Sequence, residues 1–363
     1  MTGLPTRAGR IEKTGDRPLL KTQHMECALD FESPGKRFGT IALDHSDNQH
    51  AFGIIPIPVV VVKNGSGPTI LLSAGNHGDE HEGQVILRKL IHELEPADIS
   101  GRLIILPALN YPAVLGNTRV SPLDQKNLNR CFPGAGNGSP TEAITHFVSA
   151  RLLPMADAGI DLHSGGSKAT YHPSAFLCTC TNRVVMRESV KMAEIFNAPF
   201  TLVVDGKEFP TGFDPASHSL GIPFISAELS GGGSVDMNAV ETGLSGVKNV
   251  LAYLGILSES GTLPGSDNAQ TTFLNGISGC TSLVSSISGI FEPFCETGSL
   301  VKAGQAAGLV HSVEEIERAP MRFNFESSGV VLIRRYAARV VRGSHLFFVA
   351  PIIKRADIMK ITG

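Results

Sequence analysis

The chain has 363 residues, room for one large domain and a small one, and 42% of them are hydrophobic, enough for a substantial core. The net charge is -3 and basic residues form no run, so a polyanion-binding surface and a nucleic-acid partner are not expected. No uninterrupted apolar stretch approaches the ~18 residues that span a bilayer, and the first residues lack the apolar segment of a secretory leader. No membrane partner is therefore expected. The six cysteines show no Cys-x-x-Cys pair and suit reduced thiols in a cytoplasmic protein.

In chain order, residues 1–50 are polar and predict a frayed start with a few early strands. From about 51 to 257, apolar runs of strand length alternate with helical periodicity. The predicted strands are 58–62, 69–73, 102–106, 159–162 and 224–229, and the alternating cysteines of 176–180 suit another buried strand. The predicted helices are 82–94, 141–153, 182–196 and 235–254. In the first, apolar residues at 86, 87, 90, 91 and 94 share one stripe. Thr141 follows Ser139-Pro140, a helix-start pattern. Such alternation predicts an α/β fold: a mixed, largely parallel central sheet with helices on both faces.

After Leu257 the texture changes. Residues 258–270 are rich in Ser, Gly, Pro and Asp and read as a linker. Residues 271–363 have almost no helical periodicity and predict a small all-β domain. They contain an internal echo. Gly289-Ile290-Phe291 precedes Leu300-Val301-Lys302-Ala303-Gly304, and Gly329-Val330-Val331 precedes Val340-Val341-Arg342-Gly343. This resembles the barrel-sandwich fold of biotinyl and lipoyl carrier domains. No Met-Lys-Met-like turn is present, so the unit is expected to pack on the catalytic domain (1–257) or on a partner subunit rather than act as a carrier.

Two segments carry most of the chemistry. Gly75-Asn76-His77-Gly78-Asp79-Glu80-His81 follows the run Thr69–Ser73, and Asp161-Leu162-His163-Ser164-Gly165-Gly166 follows Ala158-Gly159-Ile160. Both place imidazole and carboxylate groups where a strand gives way to a glycine-rich loop, the end of an open α/β sheet at which ligands bind. Two imidazoles and one carboxylate form the protein ligand set of a catalytic zinc site. The His-x-x-Glu-His spacing from 77 to 81 also matches a helical zinc motif. However, Gly75, Asn76, Gly78 and Asp79 disfavour a helix through His77. His77 and Glu80 are therefore preferred as ligands in a loop that enters a helix near Glu80, and His81 faces elsewhere.

Downstream, Arg119 and the Asn129-Arg130 pair lie in turn-rich loops. A guanidinium suits planar recognition of a carboxylate, or of an oxyanion forming on a carbonyl. Glu228 ends the apolar run Phe224–Ala227 and is followed by Gly231-Gly232-Gly233. A partly desolvated carboxylate there suits proton transfer.

Gly-Asn-His-Gly-Asp-Glu at 75–80, Asn-Leu-Asn-Arg-Cys-Phe-Pro-Gly at 127–134, Asp-Leu-His-Ser-Gly-Gly at 161–166 and Ala-Glu-Leu-Ser-Gly-Gly-Gly at 227–233 occur in the order of one family. By these motifs the chain resembles the succinylglutamate desuccinylase/aspartoacylase family, a branch of the zinc carboxypeptidase-like enzymes. The resemblance covers about residues 50–255 and implies one Zn2+ per subunit held by His77, Glu80 and His163. It further implies Glu228 as proton shuttle, Arg119 on the scissile carbonyl, and Asn129 and Arg130 on the substrate carboxylate. Asn127 departs from the Asp that the family often has, which is expected to alter how Arg130 is oriented or which carboxylate it accepts.

Within the family, Asp214-Pro215-Ala216-Ser217-His218 and the Ser-Gly-Gly-Gly ending resemble the branch that deacetylates N-alpha-acetyl-L-2,4-diaminobutyrate in bacterial ectoine breakdown. The implied partner is a small N-acyl amino acid, and the implied assembly a homodimer. Such a substrate carries a second amine, for which Asp205, Glu208 and Asp214 are candidate acidic partners, with Asp214 taken as the substrate-binding one. The alternatives are a deacylase of another N-acyl amino acid, a peptidase trimming C-terminal residues, and a non-catalytic binding protein.

Overall fold

The computed structural model describes residues 19–46, 48, 51–257 and 270–361. The expected frayed start and all but Gln270 of the expected linker lie outside these residues. Twelve strands come first: β1 (Leu20–Lys21), β2 (Met25–Cys27), β3 (Gly35–His45), β4 (Gly53–Asn64), β5 (Thr69–Ala74), β6 (Gly101–Leu106), β7 (Ala158–His163), β8 (Ala169–Tyr171), β9 (Ser174–Cys178), β10 (Phe200–Val204), β11 (Phe224–Glu228) and β12 (Thr272–Asn275). All but β8 join one 11-stranded sheet in the order β1-β2-β3-β4-β6-β5-β7-β11-β9-β10-β12.

The centre β6-β5-β7-β11 is parallel. The β1-to-β4 flank is antiparallel, and so are the β4–β6 and β9–β11 pairs. The sheet is mixed, and parallel pairing is confined to the centre and to the β9-β10-β12 edge. An apolar run reports that both faces of a strand are covered, not the direction of its neighbours.

Helices cover both faces: α1 (Glu82–Glu93), α2 (Tyr111–Gly116), α3 (Pro140–Phe147), α4 (Arg183–Phe196), α5 (Phe213–Ser219) and α6 (Met237–Tyr253), with α7 (Arg355–Ile361) near the end of the chain. Strand residues alternate between two cores, as the pleat requires. Val60, Val62, Ile70, Leu72, Ile160 and Leu162 pack with α1, α4 and α6. Val59, Val61, Leu71, Ile104 and Phe224 pack with α3 and α5. Two of the four expected helices start on a side-chain cap: Asn182 accepts from Val184 N and Val185 N, and Asp236 from Ala239 N. The helix expected over 141–153 is α only to Phe147, then continues as a π turn and a 3-10 turn around Pro154.

Eight short strands follow: β13 (Thr281–Val284), β14 (Gly289–Pro293), β15 (Leu300–Val301), β16 (Ala306–His311), β17 (Met321–Asn324), β18 (Gly329–Arg335), β19 (Arg339–Val340) and β20 (His345–Ala350). They form two small sheets around a shared cluster that includes Phe291, Phe323, Phe325 and Phe347. The sequence echo is real in three dimensions. Gly289 and Gly329 open β14 and β18, Val301 and Val340 end β15 and β19, and Gly304 and Gly343 turn through positive φ of 82° and 90°.

Two strands cross the expected boundary at 271. β12 pairs with β10 at the edge of the large sheet, and β8 pairs with β18 of the small one.

Candidate active site

The site lies where β5, β7 and β11 end. After Ala74 the chain turns at Gly75, with φ of 71°, and reaches α1 only at Glu82, with His81 as its N-cap. His77 and Glu80 thus lie in a loop, as Gly78 and Asp79 predict. Gly78 touches the α2 backbone closely, and a Cβ there would run into Ala113 O. His163 is the last residue of β7, and Glu228, the last of β11, is its partner in the parallel register. His81 is half-buried and takes no part in the cluster.

His77, Glu80 and His163 are each 3% exposed, and their donor atoms all lie within 4.8 Å of one another. Nδ1 of His77 stands 2.8 Å from Glu80 Oε1, and Nδ1 of His163 2.9 Å from Glu80 Oε2. The opposite ring nitrogens fix the tautomers. His163 Nε2 faces Asp161 Oδ2 at 2.7 Å, and that carboxylate also accepts from Ser73 Oγ and Asn76 Nδ2. His77 Nε2 faces Asn127 Oδ1 at 3.0 Å. The same oxygen accepts from the backbone N–H of Asn129 at 3.0 Å, so this atom is an acceptor and His77 Nε2 must be a donor. Both Nδ1 lone pairs then point at a carboxylate. Two imidazoles and a carboxylate converging in a buried site fit a divalent metal.

A cavity of about 230 Å³ opens on the cluster. It is below the ~300 Å³ of drug-sized pockets and suits a small amino-acid derivative. Arg119, Asn129, Arg130, Asp214 and Glu228 all line it, so the structure brings together every residue singled out in the sequence as a site candidate except Asp205 and Glu208. Asp205 Oδ1 is taken up in a turn by Lys207 N, and Glu208 is exposed.

Glu228 Oε2 is buried without a partner, and burial, followed by the negative charge of Glu80, pushes the carboxyl well above the ordinary range. Asp214, in the first turn of α5, accepts from Ser226 Oγ at 2.8 Å through Oδ2, while Oδ1 is buried and unpartnered. Burial pushes Asp214 up to about 6. Arg119 donates to Glu80 Oε1 at 3.1 Å. Arg130 lies over the Phe209 ring, 5.4 Å from its centroid, and partial burial together with the positive charge of Arg119 lowers its pKa. Asn129 Oδ1 accepts from Phe213 N and so ties this turn to the start of α5.

Two residues escaped the sequence reading, Asp161 and Tyr171. Asp161 and Asn127 support the imidazoles from behind. The side-chain oxygen of Asn127 is shared by His77 Nε2 and Asn129 N. Tyr171 lines the cavity from β8, the strand held by the small sheet through Ile333. The only sequence signal for it was a polar aromatic shortly after a candidate ligand.

A buried His–Glu–His cluster at the strand ends of a mixed α/β sheet, with carboxylates and guanidiniums in one cavity, is the constellation of a hydrolase. Residues 66–254 match the succinylglutamate desuccinylase/aspartoacylase catalytic domain. The N-alpha-acetyl-L-2,4-diaminobutyric acid deacetylase of Halomonas elongata is 34% identical over 330 residues, which cover 91% of this chain and 96% of that protein. The product-bound ectoine utilization protein EutE of Ruegeria pomeroyi superposes with a TM-score of 0.86 at 32% identity, covering 91% of this chain and 100% of the other. A succinylglutamate desuccinylase/aspartoacylase from Rhodobacter sphaeroides gives 0.85 at 33% identity, over 92% of this chain and 100% of the other. The chain belongs to the succinylglutamate desuccinylase/aspartoacylase family. It is a hydrolase of linear amide bonds.

Proposed function

We propose that the chain removes the acetyl group from N-alpha-acetyl-L-2,4-diaminobutyrate, releasing acetate and L-2,4-diaminobutyrate, at a single zinc held by His77, Glu80 and His163. The observation that carries this choice is Asp214. It lines a small cavity that also holds two guanidiniums, and its Oδ1 is buried without a partner. A substrate with one carboxylate and one ammonium group satisfies both charges. The Halomonas elongata relative, whose name states this deacetylation, supports the same reading.

When bound, the metal supplies Lewis acidity toward the acetyl carbonyl and lowers the pKa of a water. Arg130 and Asn129 hold the substrate carboxylate, and Asp214 meets the side-chain ammonium. Glu228 takes a proton from the attacking water as the C–O bond forms. Arg119 stabilises the oxyanion. Glu228 then gives the proton to the leaving nitrogen as the C–N bond breaks. An elevated pKa in a desolvated carboxyl suits this two-way transfer.

The proposal includes two structural units, a catalytic one of residues 1–257 and a β-rich one of residues 271–363, and a cytoplasmic homodimer. All six cysteines are free, as a reducing compartment requires. No helix among the described residues is long and apolar enough to cross a membrane. Light scattering of the purified chain tests the dimer.

A product assay tests the reaction. Zinc-loaded protein is expected to turn over N-acetyl-diaminobutyrate in preference to N-acetylaspartate and dipeptides. Chelation should stop it and zinc should restore it. Preference for N-acetylaspartate, or activity that survives chelation, refutes the reading.

A further inference from the structure

The two imidazoles of the cluster are backed by different chemistry. Behind His163 stands Asp161, fully buried, a carboxylate at 2.7 Å with two further donors on it. Behind His77 stands Asn127, a half-buried neutral amide at 3.0 Å. An anionic acceptor makes the opposite ring nitrogen more basic and a stronger donor to a metal, and a neutral one does so less.

Asn127 also does a second task with the same oxygen. Its Oδ1 accepts from Asn129 N at 3.0 Å, and its backbone carbonyl accepts from Arg130 N at 2.9 Å. One atom therefore joins His77 to the 3-10 turn Leu128–Arg130, which carries two cavity residues.

We propose that Asn127 is a positioning residue that makes His77 the weaker of the two imidazole donors and couples it to the Asn129–Arg130 turn. The inference rests on the reading of His77, Glu80 and His163 as a metal centre. It assigns to position 127 the setting of metal affinity: a neutral residue there keeps the metal more loosely bound than a carboxylate would. Substitution of such outer partners changes affinity about 10–100-fold.

The test compares wild type, Asn127→Asp and Asn127→Leu as full chains, with the zinc dissociation constant and the zinc release rate measured by competition with a chromogenic chelator. Asn127→Asp keeps the shape and both acceptor contacts while adding charge, and is expected to bind zinc about tenfold or more tightly and to release it more slowly. Asn127→Leu removes the acceptor. It is expected to lose about 10–100-fold in zinc affinity and, when zinc-saturated, to show a raised KM because the Asn129–Arg130 turn has lost its anchor. Zinc affinity in Asn127→Asp within twofold of wild type, or weaker, overturns the proposal. So does Asn127→Leu with unchanged zinc affinity. A wild-type chain that binds no zinc overturns the metal reading itself, and this proposal with it.

Discussion

Glu228 and His163 are register partners in the parallel pair β11–β7, and Leu229 N donates to His163 O at 3.0 Å just beyond them. The proposed base and a proposed ligand therefore leave the sheet side by side. Rigid ladder bonds rather than loops set their separation, which is what proton transfer at a fixed distance needs.

Glu228→Gln keeps the shape and removes the proton-transfer group. Turnover is expected to fall about 10²–10⁴-fold while zinc stoichiometry stays at the wild-type value. Steady-state kinetics with metal analysis checks this, and a variant retaining more than a tenth of wild-type kcat refutes the assignment.

Asp214→Asn retains an acceptor for Ser226 Oγ but loses the charge. A charged hydrogen bond contributes about 1.5–3 kcal/mol, so KM for N-acetyl-diaminobutyrate should rise roughly 10–100-fold. An N-acetyl amino acid of similar size with an uncharged side chain should be affected little. Equal losses on both substrates would show that Asp214 does not read the ammonium group.

Gly78→Ala adds a Cβ where the α2 backbone already stands, at Ala113 O. The loop holding His77 and Glu80 must shift. We expect a loss of about 2 kcal/mol or more in stability and a measurable loss of zinc affinity. Thermal unfolding and chelator competition read the two effects, and an alanine accepted without change in either contradicts the packing described.

His218, 5% exposed in α5, has Nε2 near Phe224 O at 3.4 Å and a buried Nδ1 with no partner. Burial lowers its pKa to about 4. Between the unfolded value of about 6.5 and about 4, the unfolded chain binds a proton that the folded chain refuses. Stability from this group is full above pH 6.5 and is lost as pH falls, by about 2 kcal/mol at pH 5 and up to about 3 kcal/mol near pH 4. Urea unfolding of wild type and His218→Phe at pH 7 and pH 5 measures it. A wild-type loss no larger than that of the variant refutes the shift.

Much of the fold was legible because burial leaves a local imprint. The runs at 69–73, 102–106 and 159–162 are mostly apolar, and they are strands covered on both faces. The stripe at 86, 87, 90 and 91 is the buried face of α1. What the sequence leaves open is non-local. The direction of each pair in the mixed sheet has no local imprint, nor has the pairing of β12 with β10 at its edge.

For the site, the sequence by itself determined the kinds of donor and their order along the chain. It also showed that Gly78 and Asp79 keep His77 and Glu80 in a loop rather than on a helical face, since glycine and short polar residues carry that preference locally. Only the tertiary structure shows which of Asp205, Glu208 and Asp214, alike as acids in loops, lines the cavity. Burial of one carboxyl against the cavity separates them, and burial depends on chain segments far away in sequence. The same holds for the ring nitrogens. Asn127 and Asp161 choose which nitrogen of His77 and His163 faces Glu80, because a tautomer is set by the hydrogen bond on its far side, and for His77 that bond is made by a residue fifty positions away.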